Sequence, residues 1–404
     1  MNKALLHNFP QKLTPYKIDI TEDPNAMVDC RKTIDCILVD MYLPPSGPVV
    51  AELRSDVLSA LILHDELCMN INDVIHLLNL FGTNNCIKLL EANAFEFYDD
   101  LGPVTGAIMN DANTYKLVNA NIYNKDGKLA EIEKSLKRIS TLPRNDINAE
   151  QIKHILTLLV SNTLTTEKEF IRDLLFKETA YDVRNKNITD LFKISSTDFE
   201  AINKNDLPNI LRLNHINRGL IDAQRIGADS IIIDNWAKVF IRGKLSPAMN
   251  EYALHAPVDI FKMTILSNKG IPDLNLLFEN EIIDADDIIR FRENMDGKLF
   301  RKWLSDIDYN PEEILATLLN KKHPSLANSV VKHIRFIYPK VMSLINPLAG
   351  FAASYFDSYI VQKILKGWHP SLFLDDKFKF TIDKNIELSK KQNKLDQLQK
   401  INDC

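Results

Sequence analysis

Two aspartates that follow runs of strand-forming residues are the best candidates for chemistry in this sequence. Asp40 follows a Cys-Ile-Leu-Val run, and Asp234 follows a Ser-Ile-Ile-Ile run. Carboxylates at strand ends can converge on Mg²⁺ or Mn²⁺, and the bound ion can activate water against a phosphodiester. Asp222 and Asp229 lie close to Asp234 in the sequence and would support such a site. One hypothesis is therefore a Mg- or Mn-dependent nuclease whose metal ligands are Asp40, Asp222, Asp229 and Asp234.

Residues 222–235, DAQRIGADSIIIDN, resemble the last part of a PIN-type nuclease, where a helix leads directly into a strand. The resemblance is confined to this segment. It implies an acidic metal site at the strand end, with Mg²⁺ or Mn²⁺ as the cofactor, but the sequence supplies no complete acidic quartet. Acidic residues after strands are also ordinary loop and helix-cap residues. A purely structural role for these aspartates is the competing interpretation.

No other catalytic or cofactor motif is present, and we predict no other cofactor. The sequence has no glycine-rich phosphate loop and no His-Glu-x-x-His pair. Its five cysteines are irregularly spaced and include no Cys-x-x-Cys pair. We therefore expect neither a disulfide framework nor a thiolate zinc site. Reduced thiols predict a cytoplasmic location, and the first residues lack the pattern of a signal peptide.

Composition and charge narrow the class of protein further. The 404 residues are 45% apolar and 25% charged, with only 12 glycines. These values are typical of a globular chain, and the scarcity of glycine favours helices. The net charge of −5 provides no global basic field for nucleic acid or for an anionic membrane. A nucleic-acid partner thus has no support from charge, and we do not expect a membrane partner.

The pattern of elements predicts a two-domain helical protein, mostly α with a smaller α+β N-terminal part. We expect an α+β domain over residues 1–145 and a helical domain over residues 146–382. Residues 383–404 form a polar helical tail. Leu388, Leu395 and Leu398 lie on one stripe of this tail, which spans about two heptads.

The strongest single element is a helix over residues 347–366. Asn346 is a suitable N-cap, Pro347 fits the first turn, and Gly367 can end the helix. Because its apolar residues cover most of the circumference, we expect this helix to be buried at the centre of the helical domain. Asp357 then needs a buried polar partner, although the sequence does not decide its role.

Shorter patterns predict several other elements. Residues 49–99 read as successive helices, and a further helix should end at Gly227 and lead into a strand that precedes Asp234. Asp284 should cap a helix over residues 285–304, whose apolar residues recur at steps of three and four.

Three hypotheses for function follow. The first is a soluble intracellular protein that works through protein–protein binding, either to another protein or to itself, since no catalytic motif is found. The second is the PIN-like nuclease that uses the strand-end aspartates. The third is a membrane-acting effector that releases the 347–366 helix, which is long enough to approach the span of a bilayer core. The sequence alone does not decide whether the protein is an enzyme.

Overall fold

A computed structural model gives the architecture of the chain. It describes residues 2–7, 12–21, 31–40, 48–98, 104–120, 147–164, 171–245, 257–307 and 368–402, together with positions 129, 132, 133, 136, 137, 314, 317 and 318. The predicted 347–366 helix and Asp357 lie outside these residues. Within the described part of the chain, none of the helices combines the length and apolar character needed to cross a membrane.

The fold is mostly α-helical with a smaller α+β part towards the N-terminus, as the sequence predicted. The described strands are β1 (Lys3–Leu6), β2 (Lys12–Thr21), β3 (Arg31–Asp40), β4 (Glu66–Asn70), β5 (Glu96–Tyr98), β6 (Val104–Met109), β7 (Thr114–Ala120), β8 (Thr163–Leu164), β9 (Ile202–Asn203) and β10 (Ser230–Ile232).

Helices account for most of the remaining described residues. They are α1 (Pro48–Leu63), α2 (Val74–Glu91), α3 (Ala149–Ser161), α4 (Ile171–Arg184), α5 (Lys186–Phe192), α6 (Leu207–Ile226), α7 (Asn235–Leu245), α8 (Pro257–Ile260), α9 (Ser267–Lys269), α10 (Leu274–Glu279), α11 (Ala285–Glu293), α12 (Met295–Asp306), α13 (Pro370–Phe373) and α14 (Phe380–Asn402). Two π-helical turns, Phe261–Leu266 and Leu374–Lys379, follow α8 and α13.

The chain forms two compact units that interleave along the sequence. The sheet unit comprises Lys3–Arg54 and Glu66–Pro247, and the helical unit comprises Met1–Asn2, Ser55–Asp65 and Ala248–Cys404. The contiguous domain ranges inferred from the sequence, 1–145, 146–382 and 383–404, stay a prediction.

The sheet unit contains a parallel sheet with the strand order β10-β1-β4-β5-β8. Strands β1, β4, β5 and β8 follow one another across the sheet, and the chain then returns to place β10 on the free side of β1. Helix α6 leads into β10 and packs on β1 and β10. A second, antiparallel sheet has the order β2-β3-β6-β7-β9, and its strands are inserted in the connections of the first.

Helix α6 illustrates how local sequence fixes an element of this unit. Pro208 lies in its first turn, and Gly227 ends it in the left-handed conformation with φ 66°. The amide of Ala228 donates to the carbonyl of Ala223 at 2.8 Å, and Gly227 donates to Gln224 at 3.3 Å. This is the Schellman pattern, which satisfies carbonyls that the end of a helix leaves open. The expected stop at Gly227 is confirmed.

The expectation that residues 49–99 are entirely helical is wrong for two segments. Glu66–Asn70 and Glu96–Tyr98 are strands β4 and β5, and β4 is paired with β1 on one side and with β5 on the other. A strand buried on both faces reads as a short apolar run without alternation. Periodicity cannot distinguish such a run from a piece of buried helix.

The helical unit is built around a cluster of buried aromatic rings. The ring centroids of Phe291 and Phe378 are 4.7 Å apart with an edge-to-face arrangement, and those of Phe300 and Phe373 are 4.7 Å apart and stacked. Phe261 packs against Phe300 and Phe378. All five side chains are fully buried, so this cluster is where the helices of the unit meet.

The helix expected over 285–304 is two helices with a break at Asn294. Asp284 caps the first, as predicted, by accepting from the amide of Asp287 at 3.0 Å. Asn294 is extended and caps the second by accepting from Gly297 at 2.6 Å. A Cβ atom at position 297 would lie 2.1 Å from the carbonyl oxygen of Phe291. Glycine at this position therefore allows the two helices to approach at the corner.

Arg292 donates hydrogen bonds to backbone carbonyls at and just after the carboxyl end of α1. This end of the helix lies within Ser55–Asp65 of the helical unit. The guanidinium of Arg292 donates to the carbonyls of Leu61, of His64 at 3.0 Å and of Asp65 at 2.9 Å. These carbonyls have no partner within the helix. Burial, followed by the charge of Arg301, lowers the pKa of Arg292 to about 10, so the side chain stays charged at neutral pH.

Asp206 holds the segment that precedes α6. Its Oδ2 accepts four hydrogen bonds, from the backbone and hydroxyl groups of Ser195 and Ser196, at 2.7–3.0 Å. Burial opposes the charge on Asp206, but the hydrogen bonds outweigh it and lower the pKa of this carboxyl. The loop before α6 is thus fixed by one ionised side chain.

We predict that Arg292→Met lowers the free energy of unfolding by about 2–4 kcal/mol, because buried carbonyls lose charged donors. Methionine keeps most of the packing volume. Lys298→Met on the following helix is the matched control, since Lys298 is exposed, and we expect it to change stability by less than about 0.5 kcal/mol. Urea denaturation compares the two; equal effects would contradict the capping role.

We predict that Asp206→Asn lowers the free energy of unfolding by about 1–3 kcal/mol at pH 7. Because the folded pKa of Asp206 lies below the unfolded value of about 3.9, its stabilisation is complete at higher pH and is lost as pH falls through the folded pKa. The difference from wild type should therefore shrink below about pH 4.

Denaturation curves collected between pH 3 and pH 7 test this expectation for Asp206. Asp198→Asn is the control, because Asp198 is exposed and accepts a hydrogen bond from the amide of Glu200. A difference between Asp206→Asn and wild type that does not change with pH would contradict the assignment of a charged Asp206.

Candidate functional site

The structure places the two strand-end aspartates in different sheets. Asp40 is the last residue of β3 in the antiparallel sheet, whereas Asp234 follows β10 in the parallel sheet. Asp234 caps α7, since its Oδ1 accepts from the amide of Ala237 at 2.7 Å. Their joint role as metal ligands stays a prediction.

Asp229 and Asp234 lie at opposite ends of β10. Oδ2 of Asp229 accepts from the amide of Lys3 at 2.9 Å, and the amide of Asp229 donates to the carbonyl of Lys3 at 2.8 Å. Whether Asp229 and Asp234 bind a metal stays a prediction.

Asp222 is buried on α6 beside two arginines. Its Oδ1 accepts from Arg225 at 3.1 Å, and its Oδ2 lies 4.0 Å from Nε of Arg218. Burial raises the pKa of Asp222 despite these cations. Burial, and then the charges of Asp222 and Asp73, also raises the pKa of Tyr98 well above its usual value. Asp222 is thus part of a buried ion-pair cluster within α6, next to Tyr98 of β5.

No three histidine, cysteine, aspartate or glutamate side chains are grouped to hold a metal within the part of the chain that the structure describes. Of the carboxylates that the sequence singled out, Asp234 caps a helix, Asp229 accepts a hydrogen bond from the amide of Lys3, and Asp222 pairs with arginine. Their role as metal ligands, with Asp40, stays a prediction.

The helical tail is the second feature that the sequence singled out, and the structure anchors its first turns. In the π-helical turn before α14, Asp375 pairs with Lys269 at 2.7 Å. Lys379 donates to the carbonyl of Lys269 at 2.8 Å, and Asn385 donates to the carbonyl of Ile282 at 2.8 Å. Ile382 is 1% exposed. These contacts fix which side of α14 packs on the helical unit.

The opposite side of α14 exposes large apolar side chains. Phe380 is 61% exposed and Leu388 is 53% exposed. At 100° per residue, Phe380, Leu388, Leu395 and Leu398 lie within an arc of about 80°, and Ile382 lies on the far side. We call these four residues the tail stripe. The inclusion of Leu395 and Leu398 is the prediction made from the sequence.

Charged residues on α14 are arranged unevenly along its length. Asp383, Lys384 and Glu387 are in its first third, and Lys390 and Lys391 follow in the middle; all five are exposed. Lys394 and Lys400 continue the basic part, with Asp396 between them. The first third of the helix thus has a net charge of −1, and the remainder is predominantly basic.

The sequence pattern predicts three of the four residues of the tail stripe, of which the exposure of Leu388 is observed, and it does not include Phe380. The signal was available, because Phe380 precedes Leu388 by eight positions and falls on the same side of a helix. It was missed because the tail was taken to begin at residue 383, whereas α14 begins at Phe380 directly after the π-helical turn.

Comparisons with known proteins do not assign a family to this chain: no family model, curated protein or solved structure matches it.

Proposed function

We propose that this protein acts through protein–protein binding, and that the tail stripe of α14 pairs with the tail stripe of a second copy. The observation that carries the proposal is the exposure of Phe380 and Leu388, at 61% and 53%, on the side of α14 that faces away from its own unit. Burying such side chains against a partner removes apolar surface from water, which favours association.

The charge pattern of α14 favours a second copy over an unrelated partner. In an antiparallel pair, the first third of each helix, with Asp383 and Glu387 outweighing Lys384, faces the lysine-rich remainder of the other. Unlike charges that flank an apolar seam stabilise pairing and set its orientation. The two helices then present the same surface to each other, as a two-fold dimer requires.

The size of the stripe limits the strength of this association. About two heptads of helix bury less area than the roughly 1,200 Å² at which stable interfaces begin. Two lysines also interrupt the seam: Lys384 between Phe380 and Leu388, and Lys391 between Leu388 and Leu395. We therefore propose a weak dimer that forms at tens of micromolar protein and dissociates on dilution.

The proposal includes a cytoplasmic location. Among the described residues, Cys68 and Cys86 are free and buried. Burial raises the pKa of each thiol to about 12, so neither forms the reactive thiolate at neutral pH. Unpaired, unreactive thiols are typical of proteins in a reducing compartment.

We predict that Leu388→Glu removes the dimer, because a charge enters the centre of the apolar seam. Sedimentation velocity between about 1 and 200 μM should show a concentration-dependent shift towards dimer for wild type and a constant monomer for the variant; we expect the dissociation constant to rise by at least about tenfold.

Val160→Glu is the matched control, because Val160 is an apolar residue with 59% exposure on another helix, α3. It should dimerise as wild type does. A wild-type protein that is monomeric at 200 μM would overturn self-association. A dimer that both variants leave intact would assign the interface to a different surface.

A further inference from the structure

A separate polar site lies where β1 and β10 end side by side. The order of connection reverses between these strands, because the chain runs from β1 to β4, β5 and β8 and then returns to β10. In open parallel sheets, ligands bind outside the carboxyl ends of the strands at such a reversal. His7 follows β1 and Asp234 follows β10, so both are at this edge.

His7 is held in a fixed position at the edge. Its amide donates to the carbonyl of Ile232 at 2.8 Å, which continues the pairing of the strands. Its Nε2 lies 3.0 Å from the carbonyl oxygen of His215 on α6. The two imidazole rings are stacked, with centroids 3.9 Å apart and an interplanar angle of 19°.

Gly219 on α6 provides the space for the His7 ring. A Cβ atom at this position would lie 2.3 Å from Cδ2 of His7 and 2.7 Å from its Nε2. Glycine inside a helix costs about 0.5–1 kcal/mol relative to alanine. Glycine is present at this position despite that cost, because the imidazole of His7 rests against the helix there.

The contact with His215 decides which nitrogen of His7 carries the proton. A carbonyl oxygen only accepts, so Nε2 of His7 is the donor and Nδ1 is an unprotonated acceptor. No hydrogen-bond partner of Nδ1 is found among the described residues.

The imidazole of His7 stays neutral at physiological pH. Burial, with a further contribution from the charge of Arg218, lowers the pKa of His7 to about 4. A base this weak is poorly matched to proton abstraction near pH 7. The position of Nδ1 suits acceptance of a hydrogen bond.

Asp234 adds a second acceptor beside His7. Its Oδ1 caps α7, and the residue is exposed, so the other carboxylate oxygen is available to a ligand. The charge of Asp234 acts on the His7 ring, as does that of Arg218 on α6. The edge therefore combines two hydrogen-bond acceptors with a nearby cation, Arg218, whose Nε also lies 4.0 Å from Oδ2 of Asp222.

We propose that His7 and Asp234 form a binding site for a small polyhydroxylated ligand that carries an anionic group. Vicinal hydroxyls donate to Nδ1 of His7 and to the carboxylate of Asp234, and the positive charge of Arg218 attracts the anion. This site lies in the sheet unit and does not depend on the pairing of α14.

Ribose 5-phosphate is the probe, because it has vicinal hydroxyls and a phosphate. We expect it to bind wild-type protein in calorimetry and to shift the ¹⁵N resonance of Nδ1 of His7. Asp234→Asn should weaken binding by about tenfold or more through loss of a charged acceptor. Asparagine can still cap α7, so the fold should be retained.

Asp284→Asn is the matched control, because Asp284 is another exposed N-cap aspartate; it should bind as wild type does. Ribose and inorganic phosphate, tested alone, should each bind more weakly than ribose 5-phosphate. Phosphate that binds as tightly would indicate an adventitious ion only and would overturn the proposal. So would unchanged affinity in Asp234→Asn, or no binding at 10 mM with no shift at His7.

Discussion

The pairing of β1 on both of its sides is the constraint on which the sheet unit depends. Ala4 lies opposite Ser230 on one side and Leu67 on the other. The four residues of β1, near the start of the chain, thus pair with segments that lie far along it. Bringing such distant segments together costs a large amount of conformational entropy, which the strand contacts offset only once they form. Lys3 reinforces them, because its Nζ lies 3.0 Å from both Glu66 and Glu96.

The same pairing creates the edge at which His7 and Asp234 meet. His7 extends the register of β1 against β10, and α6 must lie over this edge for His215 and Gly219 to seat the ring. The tail stripe depends on a different interaction. There, the buried aromatic cluster and the contacts of Lys379 and Asn385 fix one side of α14 and leave the other side to solvent.

Elements with local signals were predictable, and elements defined by distant partners were not. The cap at Asp284, the stop at Gly227 and the strand before Asp234 all follow from neighbouring residues. Strands β4 and β5 were missed, because Leu67 and Phe97 are in strands only because other strands of the sheet pair with them on both sides. The break at Asn294 was missed for a similar reason: the periodicity of its apolar residues continues across it.

The sequence by itself determined the mostly helical class, the smaller α+β part and the helix ends at Asp284 and Gly227, since composition and local hydrogen bonding suffice for these. Only the tertiary structure decided that Asp40 and Asp234 belong to different sheets, that Asp229 and Asp234 are at opposite ends of one strand, and that His7 rests on Gly219. No local pattern encodes such relations, because they arise from the order in which distant strands pair.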